Sequence, residues 1–462
     1  MLFSRVGEVL SSIEGVLLVA ENEVKVLDEM KLKDELIESL VYNAALSENE
    51  DIKELSCWLI RSAAEELGIV CSSIQGLYEA RGREEYKDMS VPAVNLRGLT
   101  FDLSRALFRC GLKNNSLSFI FEIAKSEIAY TMQAPSEYSA VILAAAIKEG
   151  YRGPVFIQAD HVQVKSKNFI EDRAKEINLL KGVIKEELDA GFYNIDIDSS
   201  TLVDLDKPTI DEQQTHNYEV AAELTDYIRN NQPAGIEVSI GGEIGEVGSK
   251  NSTPEELKAF MNGYNKKLKE INANGKGISK ISVQTGTSHG GVVLADGSVA
   301  EVKVDFDTLE TLSRMAREDY GLGGAVQHGA STLPKEAFNK FAKTETLEVH
   351  LATGFQNTVY ESKNLPDGLK KDIYDYLKAE LASQRKEGQT DEQFIYSLRK
   401  KGFGPFKKAF MDLAQNIKDD ISAEVEAEFD FIFKQMNAIN NKELVLKNVE
   451  LIKSKTTCPV SI

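Results

Sequence analysis

The sequence is poor in the residues that mark secreted, membrane-spanning or nucleic-acid-binding chains. Four cysteines occur among 462 residues. Cys57, Cys71, Cys110 and Cys458 have neither a CxxC pair nor the spacing of a metal knuckle, so a disulfide framework and a cysteine zinc site are excluded and a reducing compartment, the cytoplasm, is expected. Long hydrophobic runs are missing too. The longest apolar stretch near the start, residues 15–20, lies between Glu14 and Glu21 and is too short for a signal peptide or a membrane span. Basic residues are outnumbered: 54 Lys and Arg face 73 Asp and Glu, a net charge of −19. Such a surface repels nucleic-acid phosphates and anionic lipid, which argues against both as partners. An anionic small molecule would need a locally positive site, supplied by a metal, backbone amides or selected lysines.

What is present is an ordinary soluble composition, 42% hydrophobic and 27% charged, in a chain long enough to bury a large core. Three zones differ in texture. Residues 1–87 lack proline and space leucines by four (Leu32, Leu36, Leu40; Leu55, Leu59), which predicts helices. Residues 366–462 are again helical and highly charged. The middle zone, 88–365, alternates β-rich apolar runs with helical patterns. The runs cover 91–95, 118–123, 154–158, 194–198, 236–240, 278–283, 324–327 and 347–351. Eight such units predict an α/β fold, a (β/α)8 TIM barrel with added helical regions at both ends. An open doubly wound sheet would more often carry a Gly-rich phosphate loop after its first strand, and none is there. One helix start is explicit: Thr253-Pro254-Glu255-Glu256 has the form of a capping box with Pro at the first helical position.

Histidine is scarce and its placement is informative. Of five, His161, His289, His328 and His350 fall at or just past the ends of predicted strands, which meet on one rim of a barrel. Imidazoles converging from different strands suit a divalent ion of the zinc type, and His161, His289 and His328 are the expected ligands. Acidic residues share that rim: Asp160 beside His161, Asp198 closing the fourth strand, and Glu243 and Glu246 after the fifth. A carboxylate next to a metal ligand is placed to move protons on a substrate oxygen. Glycines adjoin the histidines in Gly286-Thr-Ser-His289-Gly-Gly291 and His328-Gly-Ala-Ser331, where backbone N–H groups can approach an anionic group.

Residues 88 to about 412 resemble the class II fructose-bisphosphate and tagatose-bisphosphate aldolases. The resemblance rests on Val91-Pro-Ala-Val-Asn95, Asp160-His161, Ile197-Asp198-Ser-Ser200, Glu243-Ile-Gly245, Gly286-Thr-Ser-His289-Gly290 and His328-Gly-Ala-Ser331, in this order. It implies a divalent metal, zinc or another, on His161, His289 and His328, and a monovalent cation nearby. Asp198 and Glu243 would lie around alternative or second metal positions. Asp160 would handle the C4 hydroxyl proton, and Glu246 stands in for the family's C1 acid, whose usual place here reads Ser249-Lys-Asn251. Asn95, Ser126, Gly290, Gly329, Ser331, His350, Thr353 and Lys407 are the implied substrate and phosphate contacts. The implied reaction is reversible cleavage of a ketose phosphate such as fructose 1,6-bisphosphate, in a homo-oligomer, a dimer or tetramer. The chain departs from the pattern at His350, where the family has Asn, and at Lys407, where it often has Arg; the loop before the second family His is short. His350 with Thr353 and Gly354 is similar to related barrel epimerases, so a metal-dependent ketose or ketose-acid epimerase is the second expectation. A non-catalytic scaffold barrel is the third.

Overall fold

The computed structural model describes residues 2–245, 250–286, 294, 303–454 and 456–460. Eight parallel strands form its centre: β4 (Val91–Asn95), β5 (Ile120–Ala124), β6 (Gly153–Gln163), β7 (Asn194–Asp198), β8 (Ser239–Glu243), β9 (Lys280–Val283), β10 (Ala325–Gln327) and β11 (Glu348–Leu351). Each pairs with the next, and β11 pairs with β4 through His350 opposite Ala93, which closes the ring. Val, Ile and Phe on alternate positions face the surrounding helices, while the other set points into the barrel. The fold is the (β/α)8 barrel that the eight apolar runs predict.

Two strands differ most from their expected limits. The third runs on to Gln163 rather than ending at residue 158, because a bulge between Ala159 and Val162 lets pairing with β7 resume beyond it. The fifth starts three residues later than expected, so Glu243 is its last residue rather than part of the following loop. The helix Pro254–Ile271 begins with the expected capping box, the Thr253 side chain accepting from the Glu256 N–H.

Both chain ends wrap the barrel. Before it, β1 (Leu17–Ala20) and β2 (Glu23–Val26) form an antiparallel hairpin, and β3 (Ile69–Cys71) adds to the start of β6. Leucine spacing gave no sign of these three strands. The hairpin turns through Glu21 with φ of 55°, a left-handed position for which glycine or asparagine is the usual signal. The helices Ile37–Leu46 and Glu50–Glu66 pack on the barrel helix Pro135–Lys148. The helix Gln75–Gly82 covers the strand starts, where Tyr78 donates its hydroxyl to Glu348. After the barrel, the long helix Gln415–Gln435 lies on the helix Thr100–Lys113, and Phe429 meets Phe355 edge to face at 4.9 Å. No helix among the described residues is long and apolar enough to cross a membrane.

Candidate active site at the strand ends

The bulge in β6 shapes the site. In a regular strand neighbouring side chains point to opposite faces; here the extra residue, with His161 at φ of 47°, turns both Asp160 and His161 to the mouth. Such left-handed strain at a non-glycine residue costs about 1–3 kcal/mol and persists only where packing enforces it.

Each imidazole is then gripped from behind. His161 Nδ1 lies 3.1 Å from Asp198 Oδ2 and 3.3 Å from Glu243 Oε2, and its Nε2 faces Asp160 at 3.8 Å. His328 follows β10; its Nε2 is 3.0 Å from the Ser282 hydroxyl, and its Nδ1 faces Asp160 at 4.0 Å. The two rings lie 4.4 Å apart. One ring nitrogen held by an oxygen while the other faces a shared point is the arrangement that fixes tautomer and aim in metal-ligating histidines. Donor atoms of Asp160, His161 and His328 lie within 4.8 Å of one another. Two imidazoles and a carboxylate at that spacing fit a divalent ion.

The carboxylates around His161 are not equivalent. Asp198 also accepts from Ser200 Oγ at 2.7 Å and Gln163 Nε2 at 2.6 Å. Burial pushes its pKa up, but the hydrogen bond from His161 and these other donors hold it below the ordinary value. Burial and the neighbouring Asp198 charge push Glu243 up to about 7. Burial also opposes ionisation of Asp160, yet His161 and His350 hold it well below the carboxylate range.

His350 behaves differently. Its Nε2 lies 2.6 Å from Glu348 Oε1, and its Nδ1 lies 2.8 Å from Glu122 Oε2 and 3.2 Å from Asp160 Oδ1. Burial pushes the ring toward neutrality, but the Glu122 and Asp160 carboxylates outweigh it and keep His350 cationic well above the ordinary histidine range. With Nε2 engaged by Glu348 and Nδ1 facing two carboxylates, His350 is a charged group beside the candidate metal cluster.

Below the mouth the barrel centre is ionic. Lys280, fully buried, donates to Glu348 Oε1 at 2.6 Å, Asp196 Oδ2 at 3.0 Å and Gln158 Oε1 at 2.7 Å. Gly241 makes room for this: a Cβ there would meet Asp196 Oδ1 at 2.3 Å. Glu122, Asp196, Glu348, Lys280 and Gln158 had no place in the sequence-based site. A signal existed in the period-two pairs Gln158/Asp160, Asp196/Asp198, Lys280/Ser282 and Glu348/His350, where polar residues recur on the face pointing into the barrel.

The family model described as fructose-bisphosphate aldolase class-II matches residues 83–429. The chain belongs to the class II fructose-bisphosphate aldolase family. No curated protein gives a significant match to it. Among solved structures it is similar to a probable tagatose 6-phosphate kinase from Sinorhizobium meliloti 1021, with 15% identity over 75% of this chain and 100% of that one and a TM-score of 0.58. It is also similar to the fructuronate-tagaturonate epimerase of Cohnella laeviribosi, with 13% identity over 91% of this chain and 93% of that one and a TM-score of 0.58. Both likenesses speak for the fold.

The remaining expected contacts of this class II family member divide clearly. A cavity of about 640 Å3 brings together Asp160, His161, His328 and His350 with Asn95, Ser126, Gly329, Ser331 and Thr353. Asn95 donates to Glu127, which is buried and ion-paired at 2.7 Å with Arg97. His289, Gly290 and Glu246 lie outside the described residues. Lys407 is not brought to this cavity: its ammonium is held 2.7 Å from Glu137 Oε1 and donates to the Met132 carbonyl, lining a separate hollow. The fifth histidine, His216, packs edge-on against Phe169 on the barrel's outside.

Proposed function

We propose that the protein is a divalent-metal-dependent aldolase, with zinc the first candidate metal, that reversibly cleaves the C3–C4 bond of a ketose phosphate. The observation that carries this reading is the convergence of His161 and His328, each fixed through its far nitrogen, on one point beside Asp160. His161, His328 and Asp160 would hold the metal, with His289 as the further expected ligand. Bound there, the ion would polarise the substrate's C2 carbonyl as a Lewis acid. Asp160, kept ionised by its imidazole neighbours, accepts the C4 hydroxyl proton as the C3–C4 bond breaks and its electron pair moves toward the C2 oxygen. The His350 imidazolium lies beside the place where that negative charge develops and offsets it electrostatically. Gly329, Ser331 and Thr353 orient the substrate through neutral donors.

A second reading, a ketose or ketose-acid epimerase, has an observation of its own. The C-terminal segment lays Tyr396, Ser397 and Lys400 along the same cavity. A wall of that kind favours retention of a cleaved aldehyde, which an epimerase must re-add and an aldolase must release. The likeness in fold to an epimerase barrel is compatible with it.

The test is direct. Purified protein analysed for metal is expected to hold close to one divalent ion per chain and to release triose phosphate from fructose or tagatose 1,6-bisphosphate. Interconversion of C4 epimers without triose release would select the second reading. Absence of both bound metal and either reaction would overturn both.

A further inference from the structure

We propose that this chain's own C-terminal segment, through Lys400 and Tyr396, binds the terminal anionic group of the substrate, a phosphate ester or a carboxylate, on the outer wall of the histidine cavity. The inference shares with the proposed function the premise that substrate occupies this cavity; it does not depend on which bond is broken.

Lys400 lines that cavity from outside the barrel, on the short helical turn Arg399–Gly402. Acidic residues outnumber basic ones by 19 in this protein, yet among the described residues no carboxylate lies within ion-pair distance of Lys400. Its ammonium lies 5.7 Å from the centre of the Tyr130 ring. The nearby Arg97 does not share this condition, since Glu127 neutralises it and Gln356 accepts from it at 2.7 Å. Lys407, the residue expected to hold a distal phosphate, is tied to Glu137. Lys125 and Lys165 also line the cavity without an ion pair among the described residues, from the β5 and β6 side. Lys400 is the uncompensated charge that the C-terminal segment adds, half-buried, where a charge-assisted hydrogen bond is stronger than in water.

The wall is also preset to donate. Arg399 is buried and donates to Asn357 Oδ1 at 2.6 Å and to Glu361 Oε1 at 2.8 Å, stacking on the Tyr396 ring at 4.6 Å. That bond fixes which way the Asn357 amide points, so its Nδ2 donates to the Tyr396 hydroxyl at 2.9 Å. A phenol oxygen that already accepts keeps its own proton to give elsewhere. Tyr396 thus joins Lys400 as a donor with no acceptor among the described residues. A phenol fixed through a buried arginine and a lysine beside it match a ligand group made of acceptor oxygens, and the fixed phenol lowers the ordering cost of binding.

Isothermal titration of the full chain with inorganic phosphate, and separately with glycolate, tests this without requiring turnover. Expected is binding that weakens about tenfold in Lys400→Ala and less in Tyr396→Phe, and that is kept in Lys400→Arg. The exposed control Lys371→Ala should leave it unchanged. Lys400 dependence of phosphate alone assigns a phosphate ester, and of glycolate alone a carboxylate. Equal binding in wild type and Lys400→Ala, or no binding of either anion, overturns the proposal. With a turned-over substrate, KM should rise about tenfold in Lys400→Ala while kcat stays within about twofold. Lys400-dependent anion binding in a protein without aldolase or epimerase turnover would remove the proposed function and leave this site standing.

Discussion

The inside of the barrel and the helical layer around it are built from opposite materials. Inside, Lys280, Glu348, Asp196, Gln158 and His350 form a buried ionic stack, where many barrels place branched apolar side chains. Outside, the chain-end helices supply Leu40, Leu55, Leu59 and Ile60, all fully buried, against the barrel helix Pro135–Lys148. Charges taken out of water recover their desolvation cost only with good partners, so the interior adds order and electrostatic aim more than net stability. Hydrophobic burial in the outer layer supplies the cohesion. A chain that gives its centre to charge therefore gains from wrapping helices at both ends.

The largest effect should follow from breaking the interior stack. Lys280→Met leaves Glu348 and Asp196 facing each other with only His350 to offset them. Removing one partner of a buried pair costs about 3–5 kcal/mol. A large fall in the melting temperature together with loss of turnover is expected; an unchanged melting temperature would refute the ionic account of the centre. Asp160→Asn sits one layer higher and separates the two properties. Turnover should drop about 10²–10⁴-fold, the usual contribution of a positioned proton acceptor, while far-ultraviolet circular dichroism stays native. The outer layer should show the reverse. Ile60→Val removes one buried methylene, costing about 1 kcal/mol, and should shift melting slightly with kcat unaltered. Any kcat change there would couple wrap and mouth, which the comparison keeps apart.

The same division explains what the sequence could reveal. Strand runs such as 194–198 and 347–351 stand out because barrel strands are apolar toward the helices and end in polar residues at the mouth. The Asp160-His161 and His328-Gly329 pairs stand out because function concentrates at those ends. The ionic stack was harder to see. Lys280, Asp196 and Glu348 are ordinary charged residues in a sequence, and only the closing of the ring brings them together. The bulge that makes Asp160 and His161 share a face depends on the β6–β7 register, which no local pattern encodes. Lys407 misled for a related reason: its motif position says nothing of Glu137, 270 residues away in sequence, which claims its charge. Lys400 shows the converse, since a lysine in the run Arg399-Lys400-Lys401 gives no hint that it alone faces the cavity.

Glu187 is the exception within the outer layer and gives the smallest and sharpest prediction. It lies on the helix Arg173–Asp189, fully buried, with neither carboxylate oxygen hydrogen-bonded among the described residues. Burial pushes its pKa up to about 8, with Lys125 opposing. A carboxyl raised in the folded state stays protonated there while its unfolded counterpart ionises near pH 4 to 5. Its stabilising contribution is thus complete below that range and is lost progressively as pH rises to about 8. Glu187→Gln cannot ionise and removes this loss. The variant should melt close to wild type at pH 5 and about 2–4 °C higher at pH 8, with turnover unchanged at both. Equal melting offsets at the two pH values would mean that Glu187 is ionised in the folded protein, and that the outer layer can shelter even an unpaired charge.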